Sequence, residues 1–456
     1  MRQFSFEKRA HENFHNIIIN ERYLVIAMKE ITCEELEKII QKQPSAFLCG
    51  NGFSVNFDDD FANIYERLYE AHKILIRNGK YDVKANSSFS KVFLDNYKNV
   101  CRYVHAFKQK DIEEIFVSGV CFAESIIKNG ELIEEINRKG YIHQLVFGKS
   151  ELNLVESIAI VGNKYGYKSV NIEYWSILIY MFFIITAMDS DKYEFPRGNA
   201  FITMIKVGNI NKNMLILDAD NIYQFALSNG FNTYYRMLFS TAILCNGKAI
   251  DFSKLHNLKN LKLDRIRDFL GKYKVLLTLN YDHILENVSS QPTQHIHGEY
   301  VQNLKEYVYY QSLGVELNSK LYVSFSDILI GDYFTNKTFA GVVNAMNKHS
   351  INKAVPNIVK VVGNCMEEHQ IEVIVIFGMN IDNDQHIVRD VMIQLSNMAS
   401  KNVKIVYCYF TEVDKEVFNE QYYAAITFSK DVSQRVKEIE LLYIKTQNIL
   451  EEYFVK

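Results

Sequence analysis

The sequence predicts an α/β protein whose parallel sheet is interrupted by a large, mainly helical insertion. Four short apolar runs, each stopping at a polar or glycine turn, are typical of strands buried in a parallel sheet. These runs are Ala46–Cys49, Lys274–Leu279, Glu372–Phe377 and Val403–Phe410. Over 200 residues separate the first run from the second, and apolar residues recur there at helical spacing.

The segment between the first two runs carries helical patterns over Asn63–Leu75, Asp111–Ile127 and Leu132–Ile136. The three acidic residues Asp58–Asp60 precede the first of these patterns, and acidic side chains favour a helix N-terminus. The segment Ala200–Leu217 is also compatible with strands. The chain holds only 20 glycines and 4 prolines, which favours regular helical structure over loops or disorder.

These patterns divide the chain into four parts. Residues 1–57 comprise N-terminal helices, the first strand and its glycine-rich turn, and residues 58–272 form the helical insertion. Residues 273–430 supply the rest of the sheet domain, and residues 431–456 form a C-terminal helix.

The composition restricts the class of function. A formal net charge of −3 gives no support for a large nucleic-acid-binding surface, which is normally basic. The seven cysteines are scattered and form no C-x-x-C, so we expect buried, reduced thiols and neither a zinc ribbon nor a disulfide framework. They are Cys33, Cys49, Cys101, Cys121, Cys245, Cys365 and Cys408.

The most apolar stretch is Trp175–Met188, which is 14 residues long. A membrane-spanning helix needs roughly 18 to 20 apolar residues, so this stretch predicts a buried core helix and no membrane contact. The N-terminus carries charged residues and lacks the long apolar run of a secretory signal. We therefore expect a cytoplasmic protein.

The first motif, Gly50-Asn51-Gly52-Phe53-Ser54, directly follows the first apolar run. Two glycines at a strand end allow the backbone to approach a polar ligand closely and leave N–H groups for a pyrophosphate. The third glycine of the dehydrogenase fingerprint is missing, so an ordinary strand–helix turn is the alternative interpretation.

The second motif, Asn280-Tyr281-Asp282, follows the second apolar run. The amide of Asn280 can both donate and accept, which suits the fixing of ribose hydroxyls or a water molecule. Asp282 would point to the same face if the strand continued. A polar cap that ends the strand is the alternative.

The third motif is His295-Ile296-His297-Gly298. The H-x-H spacing would put both imidazoles on one face of a strand, where they could carry protons or seat a metal. No third metal ligand is evident nearby, and a structural histidine is the alternative for either ring.

The fourth motif follows the third run and contains Gly378, Asn380, Asp382 and Asp384. The glycine allows close approach, and the polar side chains could accept hydrogen bonds from an adenosine ribose. The alternative is a solvated acidic loop in which Asp384 caps the helix predicted over Gln385–Leu395.

Together, in this order and each after a strand, the motifs resemble the sirtuin-like (Sir-two-type) family, and most closely the NAD hydrolases of bacterial antiphage defence. That family combines a G-x-G-x-S turn, an N-Y-D strand end, a His-Gly pair and a late F-G-x-S-x-x-x-D-x-H-I segment. This chain carries G-N-G-F-S from Gly50, N-Y-D from Asn280, the pair His297-Gly298, and F-G-M-N-I-D-N-D-Q-H-I from Phe377. The resemblance covers about a third of the chain.

The chain departs from the deacylases of this family in three places. It cannot form their four-cysteine zinc module, it carries Asp58–Asp60 where an arginine follows the glycine-rich turn, and Asn380 stands where serine is usual. The missing zinc module argues against deacylation of protein lysines.

The resemblance implies a Rossmann-like, sirtuin-like fold and an NAD⁺ glycohydrolase that cleaves the nicotinamide–ribose bond without a metal. It implies catalytic roles for Asn280 and His297. The residues implied for NAD binding are Gly50, Asn51, Gly52, Ser54, Asp282, Gly378, Asn380 and Asp384. It also implies a toxic effector of abortive infection, controlled by a protein partner or by self-assembly, with residues 58–272 as the expected contact surface.

Two other functions fit parts of the pattern. A non-catalytic sensor of NAD or ADP-ribose would use the same glycines, but it would not need both Asn280 and His297. A metal-dependent nuclease or phosphohydrolase would use His295 and His297 with the acidic residues Asp382 and Asp384, and a chelator would inactivate it.

Overall fold

The computed structural model describes most of the chain. The described residues are 29–77, 81–85, 90–141, 150–188, 191–209, 222–302, 313–317, 322–325, 358–381, 384–398, 400, 402–426 and 434–455. Residues 1–28, residues 210–217 of the segment with predicted strands, and Asp382 lie outside these ranges.

Seven strands form one parallel sheet, in the order β1-β11-β10-β9-β2-β4-β5, and four more form a smaller antiparallel sheet, in the order β3-β7-β8-β6. The strands are β1 (Lys29–Glu30), β2 (Ser45–Cys49), β3 (Tyr81–Ala85), β4 (Val275–Thr278), β5 (Thr293–His295), β6 (Tyr300–Gln302), β7 (Leu313–Leu317), β8 (Tyr322–Phe325), β9 (Val373–Phe377), β10 (Lys404–Tyr409) and β11 (Glu440–Lys445). All four predicted runs lie in the parallel sheet, so the α/β prediction is confirmed.

The central strands of the parallel sheet are buried on both faces. Neighbouring residues of a strand point to opposite faces, so Phe47 and Val375 pack into one apolar core while Leu48 and Ile376 pack into the other. Helices cover each face, which explains why these strands are continuously apolar in sequence.

Seventeen α-helices lie wholly within the described residues. They are α1 (Cys33–Lys42), α2 (Asn51–Ser54), α3 (Leu68–His72), α4 (Ser90–Val104), α5 (Gln109–Ile127), α6 (Gly130–Arg138), α7 (Glu151–Tyr165), α8 (Trp175–Met188), α9 (Ala200–Val207), α10 (Ile222–Ser228), α11 (Gly230–Leu244), α12 (Leu263–Leu270), α13 (Ile284–Ser289), α14 (Ile358–Glu368), α15 (Gln385–Ser396), α16 (Glu412–Ile426) and α17 (Thr446–Ile449).

The insertion, residues 58–272, is mainly helical as predicted, and it adds strand β3 to the smaller sheet. Its most apolar helix, α8, is almost wholly buried, which confirms the predicted core helix. In the part of the chain that the structure describes, no helix is both long and apolar enough to cross a membrane. The four-part division of the chain stays a prediction.

The predicted C-terminal helix over residues 431–456 is wrong in its central part. Glu440–Lys445 forms strand β11, which lies between β10 and β1 in the parallel sheet. Among the described residues of this range, the helical ones are residues 434–436, Thr446–Ile449 and the π-turn Leu450–Phe454 after it. The four buried residues Leu441–Ile444 favour a strand once a neighbouring strand is present, and pairing with β10 decides between the two structures.

Three further expectations are corrected. The segment 200–207, which was compatible with strands, is helix α9, and the side chain of Asn199 caps it by accepting from the N–H of Ile202. The helix predicted over Asn63–Leu75 is divided into the 3₁₀ turn Tyr65–Arg67, helix α3 and the π-turn Lys73–Arg77. Likewise, residues 29–45 hold the short strand β1 as well as the expected helix.

The glycines of the first and fourth motifs contact each other directly. The N–H of Gly50 donates to the carbonyl of Phe377 at 3.1 Å, and that of Gly52 to the carbonyl of Gly378 at 2.8 Å. A Cβ on Gly52 would lie 2.6 Å from Gly378 Cα, so the contact has no room for a side chain. The N–H groups of the two glycines themselves are therefore not left for a pyrophosphate, because Phe377 at the end of β9 and Gly378 after it accept from them.

We expect Gly378→Ala to destabilise the fold by roughly 2–5 kcal/mol, through left-handed backbone strain and the clash with Gly52. Gly378 has a φ of +59°, and an added Cβ would lie 2.6 Å from Gly52 C. Gly140 is the matched control, since its φ is +72° and no described atom would come within 4 Å. Urea unfolding should show a loss of only about 1–2 kcal/mol for Gly140→Ala. Equal losses for both variants would show that the contact between the loops has no energetic weight.

Candidate active site

The loops that follow β9, β2 and β4 meet at the carboxyl edge of the parallel sheet, where ligands bind in sheets of this kind. They border a cavity of about 500 Å³, a volume usual for small-molecule sites. The predicted site residues that line it are Gly50, Asn51, Gly52, Asn280, Asp282, His297, Gly378, Asn380 and Asp384. The remaining predicted residue, Ser54, is fully buried and lies outside this lining.

The side-chain amide of Asn280 has a fixed orientation. Its Nδ2 donates to the carbonyl of Gly50 at 3.1 Å and to Ser54 Oγ at 2.8 Å. A carbonyl can only accept, so the contact with Gly50 identifies the nitrogen end of the amide. Both amide hydrogens are used, which leaves Oδ1 to accept a hydrogen bond from a ligand hydroxyl or a water molecule.

Ser54 links Asn280 to a buried carboxylate. Its Oγ donates to Asp282 Oδ2 at 2.8 Å, and the N–H of Ile284 donates to Asp282 Oδ1 at 3.0 Å. Burial raises the pKa of Asp282 to about 6, although both hydrogen bonds act to lower it. Strand β4 ends at Thr278, so the continued strand considered for Asp282 is not formed. Because Ser54 Oγ accepts from Asn280 and donates to the buried Asp282, Ser54 positions the Asn280 side chain.

His297 lines the same cavity as Asn280. Burial lowers its pKa, and the negative charge of Glu173 opposes this only in part. The ring is therefore neutral at neutral pH, the form in which an imidazole accepts a proton. Burial raises the pKa of Asp384 well above its usual range, and Glu173 adds to this shift, so both oppose ionisation of the Asp384 carboxyl.

The two histidines of the H-x-H motif do not share one environment. Strand β5 ends at His295, whose Nδ1 lies 2.8 Å from the carbonyl of Asn280 and whose Nε2 lies 3.1 Å from Glu286 Oε1. His295 does not line the cavity that His297 borders. The expectation of two imidazoles on one strand face is wrong, because the strand ends between them.

A second histidine completes a network behind Asn280. His283 Nδ1 lies 2.7 Å from Glu286 Oε1, and its Nε2 contacts the carbonyl of Tyr300. Each of the four ring nitrogens of His283 and His295 thus faces an oxygen acceptor, an arrangement that is satisfied when both rings carry two protons. Protonated His295 then holds the backbone of Asn280.

The hydrogen bonds of this network shift the pKa values of its members. Burial lowers the pKa of His283, but its hydrogen bond to Glu286 and the charges of Glu286 and Glu299 outweigh burial and raise it to about 9. Burial raises the pKa of Glu286, but hydrogen bonds from His283 and His295 outweigh it and lower the value to about 2.

Two clusters of side chains in the described ranges have the spacing of metal ligands. They are Asp58, Asp60 and His256, and His283, Glu286 and Glu299. Lys248 Nζ occupies the first, 2.8 Å from Asp58 and 2.5 Å from Asp60. In the second cluster, the carboxylates of Glu286 and Glu299 lie against the ring nitrogens of His283 and His295. Neither cluster contains His297 or Asp384, so the ligand set of the metal-dependent alternative is not assembled from described residues.

The insertion contributes residues to the cavity that the sequence analysis missed. They are Ala62, Ile64, Arg67, Asn171, Ile172, Glu173 and Ile243, with Phe61 beside them. Arg67 lies inside a helical pattern, where a cation usually marks a solvated face. Glu173 stands two residues before the apolar helix α8. The sequence signal that could have found it is the polar N-x-E segment from Asn171 to Glu173, directly before the apolar stretch for which we predicted a core helix.

A second cavity of about 450 Å³ adjoins the first and shares Gly52, Gly378 and Asn380 with it. It lies over the ends of β9 and β10, with Tyr407, Phe410 and Asp414 among its lining residues. Asp384 borders only the first cavity, together with His297 and Glu173.

Comparisons of this chain with protein families, with curated proteins and with solved structures gave no match.

We expect the wild-type protein to lose stability as the pH rises from about 6.5 to 9. The pKa of His283 is raised on folding, so its contribution is complete below 6.5 and disappears as the folded ring loses its proton. A shift of this size is worth on the order of 3 kcal/mol. The depressed pKa of Glu286 adds a second loss as the pH falls from 4.5 towards 2.

Urea unfolding across this pH range measures both effects. Glu286→Gln removes the nearer of the two carboxylate charges that both histidines face and leaves that of Glu299, so most of the loss of stability between pH 6.5 and 9 should disappear. Glu156→Gln, at an exposed position on α7, is the control and should keep the wild-type pH profile. A Glu286→Gln protein with the wild-type slope would contradict the assignment of protonated histidines.

Proposed function

We propose that this chain is an NAD⁺ glycohydrolase of the sirtuin-like type, which binds NAD across the two cavities and releases nicotinamide and ADP-ribose. One observation carries the proposal. Asn280, with Oδ1 available, and His297, neutral and able to accept a proton, line one cavity at the carboxyl edge of a parallel sheet. A site that only binds a nucleotide has no need for that pair.

The reaction is a substitution at the ribose carbon. The bond between C1′ and the nicotinamide nitrogen breaks, and its electron pair neutralises the pyridinium of the departing nicotinamide. Positive charge develops on the ribose ring, and a water oxygen forms the new bond to C1′. Asn280 Oδ1 orients the water or a ribose hydroxyl, and His297 accepts the proton.

The adjoining cavities suit the two halves of a dinucleotide. The nicotinamide ribose would occupy the cavity with Asn280 and His297, and the adenosine would occupy the one over β9 and β10, with Asn380 at their junction. Arg67 borders the first cavity, and its Nη2 is buried without a hydrogen-bond partner among the described residues. A buried guanidinium nitrogen of this kind suits a phosphate oxygen.

We further propose that the chain is the toxic effector of an antiphage system that stops growth by depleting NAD. Free hydrolysis of NAD would kill the host, so activity must be held off until a trigger arrives. A protein partner or self-assembly would supply that control through residues 58–272. Full NAD hydrolysis by the purified chain alone would contradict this control.

We expect His297→Ala to lower the rate of NAD cleavage by roughly 10²- to 10⁴-fold, the usual weight of general-base assistance. Asn280→Ala should have a similar effect through lost positioning of the water. The measurement is chromatographic detection of nicotinamide and ADP-ribose, with the protein alone and together with the products of its neighbouring genes.

His369→Ala is the control, since His369 lies exposed after helix α14 and outside both cavities. It should cleave NAD at the wild-type rate. A folded double variant, Asn280→Ala with His297→Ala, that still cleaves NAD at the wild-type rate would overturn the proposed mechanism. Loss of cleavage on addition of a chelator would favour the metal-dependent alternative.

A further inference from the structure

The helical insertion brings a carboxylate into the wall of the candidate active site. Glu173 lies in the loop before helix α8 and lines the same cavity as Asn280 and His297. Two other carboxyl groups border this cavity. Asp282 accepts from Ser54 and from the backbone of Ile284, and burial together with Glu173 raises the pKa of Asp384. Glu173 is thus the carboxylate that this cavity offers to a cation.

Buried hydrogen bonds hold the loop that carries Glu173. Tyr65 Oη donates to the carbonyl of Val170 at 2.7 Å, and Tyr235 Oη donates to that of Ile172 at 2.7 Å. The indole N–H of Trp175 donates in turn to Tyr65 Oη at 2.7 Å. The donors come from three separate parts of the insertion, so the loop position is set by the packed helices around it.

The loop also has an internal turn, and the segment that carries Asn280 orients the carboxylate. The N–H of Glu173 donates to Asn171 Oδ1 at 2.9 Å. Tyr281 Oη, next to Asn280 in the chain, donates to Glu173 Oε1 at 2.7 Å. Within the described part of the chain no group donates to Oε2, which is left to meet a ligand. The charge of Glu173 reaches the reacting centre, since it acts on the pKa values of both His297 and Asp384.

We propose that Glu173 faces the nicotinamide ribose of NAD, selects the oxidised over the reduced dinucleotide, and stabilises the positive charge that develops on the ribose as the bond to nicotinamide breaks. This inference rests on the proposed function. Oxidised NAD carries a cationic pyridinium and the reduced form a neutral ring, so a carboxylate held beside that ring distinguishes them by charge. As the bond to nicotinamide breaks, the positive charge passes from the pyridinium ring to the ribose. The same carboxylate lies beside the ribose and stabilises the charge there.

Binding measurements test the assignment without the need for a trigger. In the His297→Ala protein, calorimetric titration should show oxidised NAD binding roughly 10- to 100-fold more tightly than reduced NAD, the weight of one charge-assisted contact. Glu173→Gln in that background keeps the shape of the side chain and should bring the two affinities together, by weakening the oxidised form alone. Glu156→Gln, exposed on α7, is the matched control and should keep the preference.

A second variant separates charge from structure. Tyr281→Phe keeps the ring and removes the hydrogen bond that orients Glu173, so it should reduce the preference without a change of charge. In the protein with His297 intact, Glu173→Gln should lower cleavage of NAD at least 10-fold, with thermal unfolding unchanged within a few degrees.

The outcomes distinguish this inference from the proposed function. A folded Glu173→Gln protein that keeps the preference for oxidised NAD, beside a wild type that cleaves NAD, overturns the role of Glu173 alone. Another outcome is a protein that prefers oxidised NAD in a way that depends on Glu173 and yet cleaves no NAD under triggering conditions. That result overturns the proposed hydrolase and keeps the contact between Glu173 and the pyridinium. A folded protein that binds neither form overturns both.

Discussion

The candidate site depends on a backbone contact between two loops that are more than 300 residues apart in the chain. Gly52 and Gly378 touch without intervening side chains, and the N–H of Gly52 donates to the carbonyl of Gly378. This contact joins the end of β2 to the end of β9. It fixes the short helix α2, which places Ser54 beneath Asn280 at the end of β4. The two glycines therefore allow the two loops to pack against each other. The binding surface is formed by this packing before any ligand arrives.

Hydrogen bonds on two sides hold Asn280, to its side-chain amide and to its backbone carbonyl. From one side Ser54 and Gly50 accept both hydrogens of its amide, and from the other protonated His295 holds its backbone carbonyl. The protonated histidine needs the charge of Glu286, while Asp282 nearby is buried with a raised pKa. The charged groups that hold Asn280 thus act on its backbone, while its side-chain amide donates only to neutral groups. Asn280 therefore presents an uncharged amide oxygen to the cavity, and such an oxygen positions a water or hydroxyl without taking its proton.

Much of the site could be predicted from the sequence, because its motifs directly follow strands and the carboxyl ends of parallel strands meet at one edge. That reasoning places Gly50, Asn280 and Gly378 together without knowledge of the insertion. It cannot place Glu173, whose position depends on packing against helices far away in the chain. It also predicts that His295 faces the same side as His297, whereas only His297 lines the cavity. The end of β5 decides this, and it is set by tertiary contacts and not by the H-x-H spacing. Strand β11 was missed for a similar reason, because pairing with β10 outweighs the helical appearance of its flanks.

The insertion is part of the site, and this changes what control of the site requires. The sequence alone predicts residues 58–272 only as a surface for a partner. The structure instead has Tyr65, Trp175 and Tyr235 holding the loop that presents Glu173. Tyr65 also packs edge-on against Phe116 of α5 and Phe239 of α11, so a shift of these helices displaces the hydroxyl that holds the loop. A carboxylate that stabilises a developing charge loses its effect when it moves by even an ångström. A partner bound to the outer helices would therefore control the proposed reaction through the packing that positions Glu173, and the proposal needs no separate regulatory site.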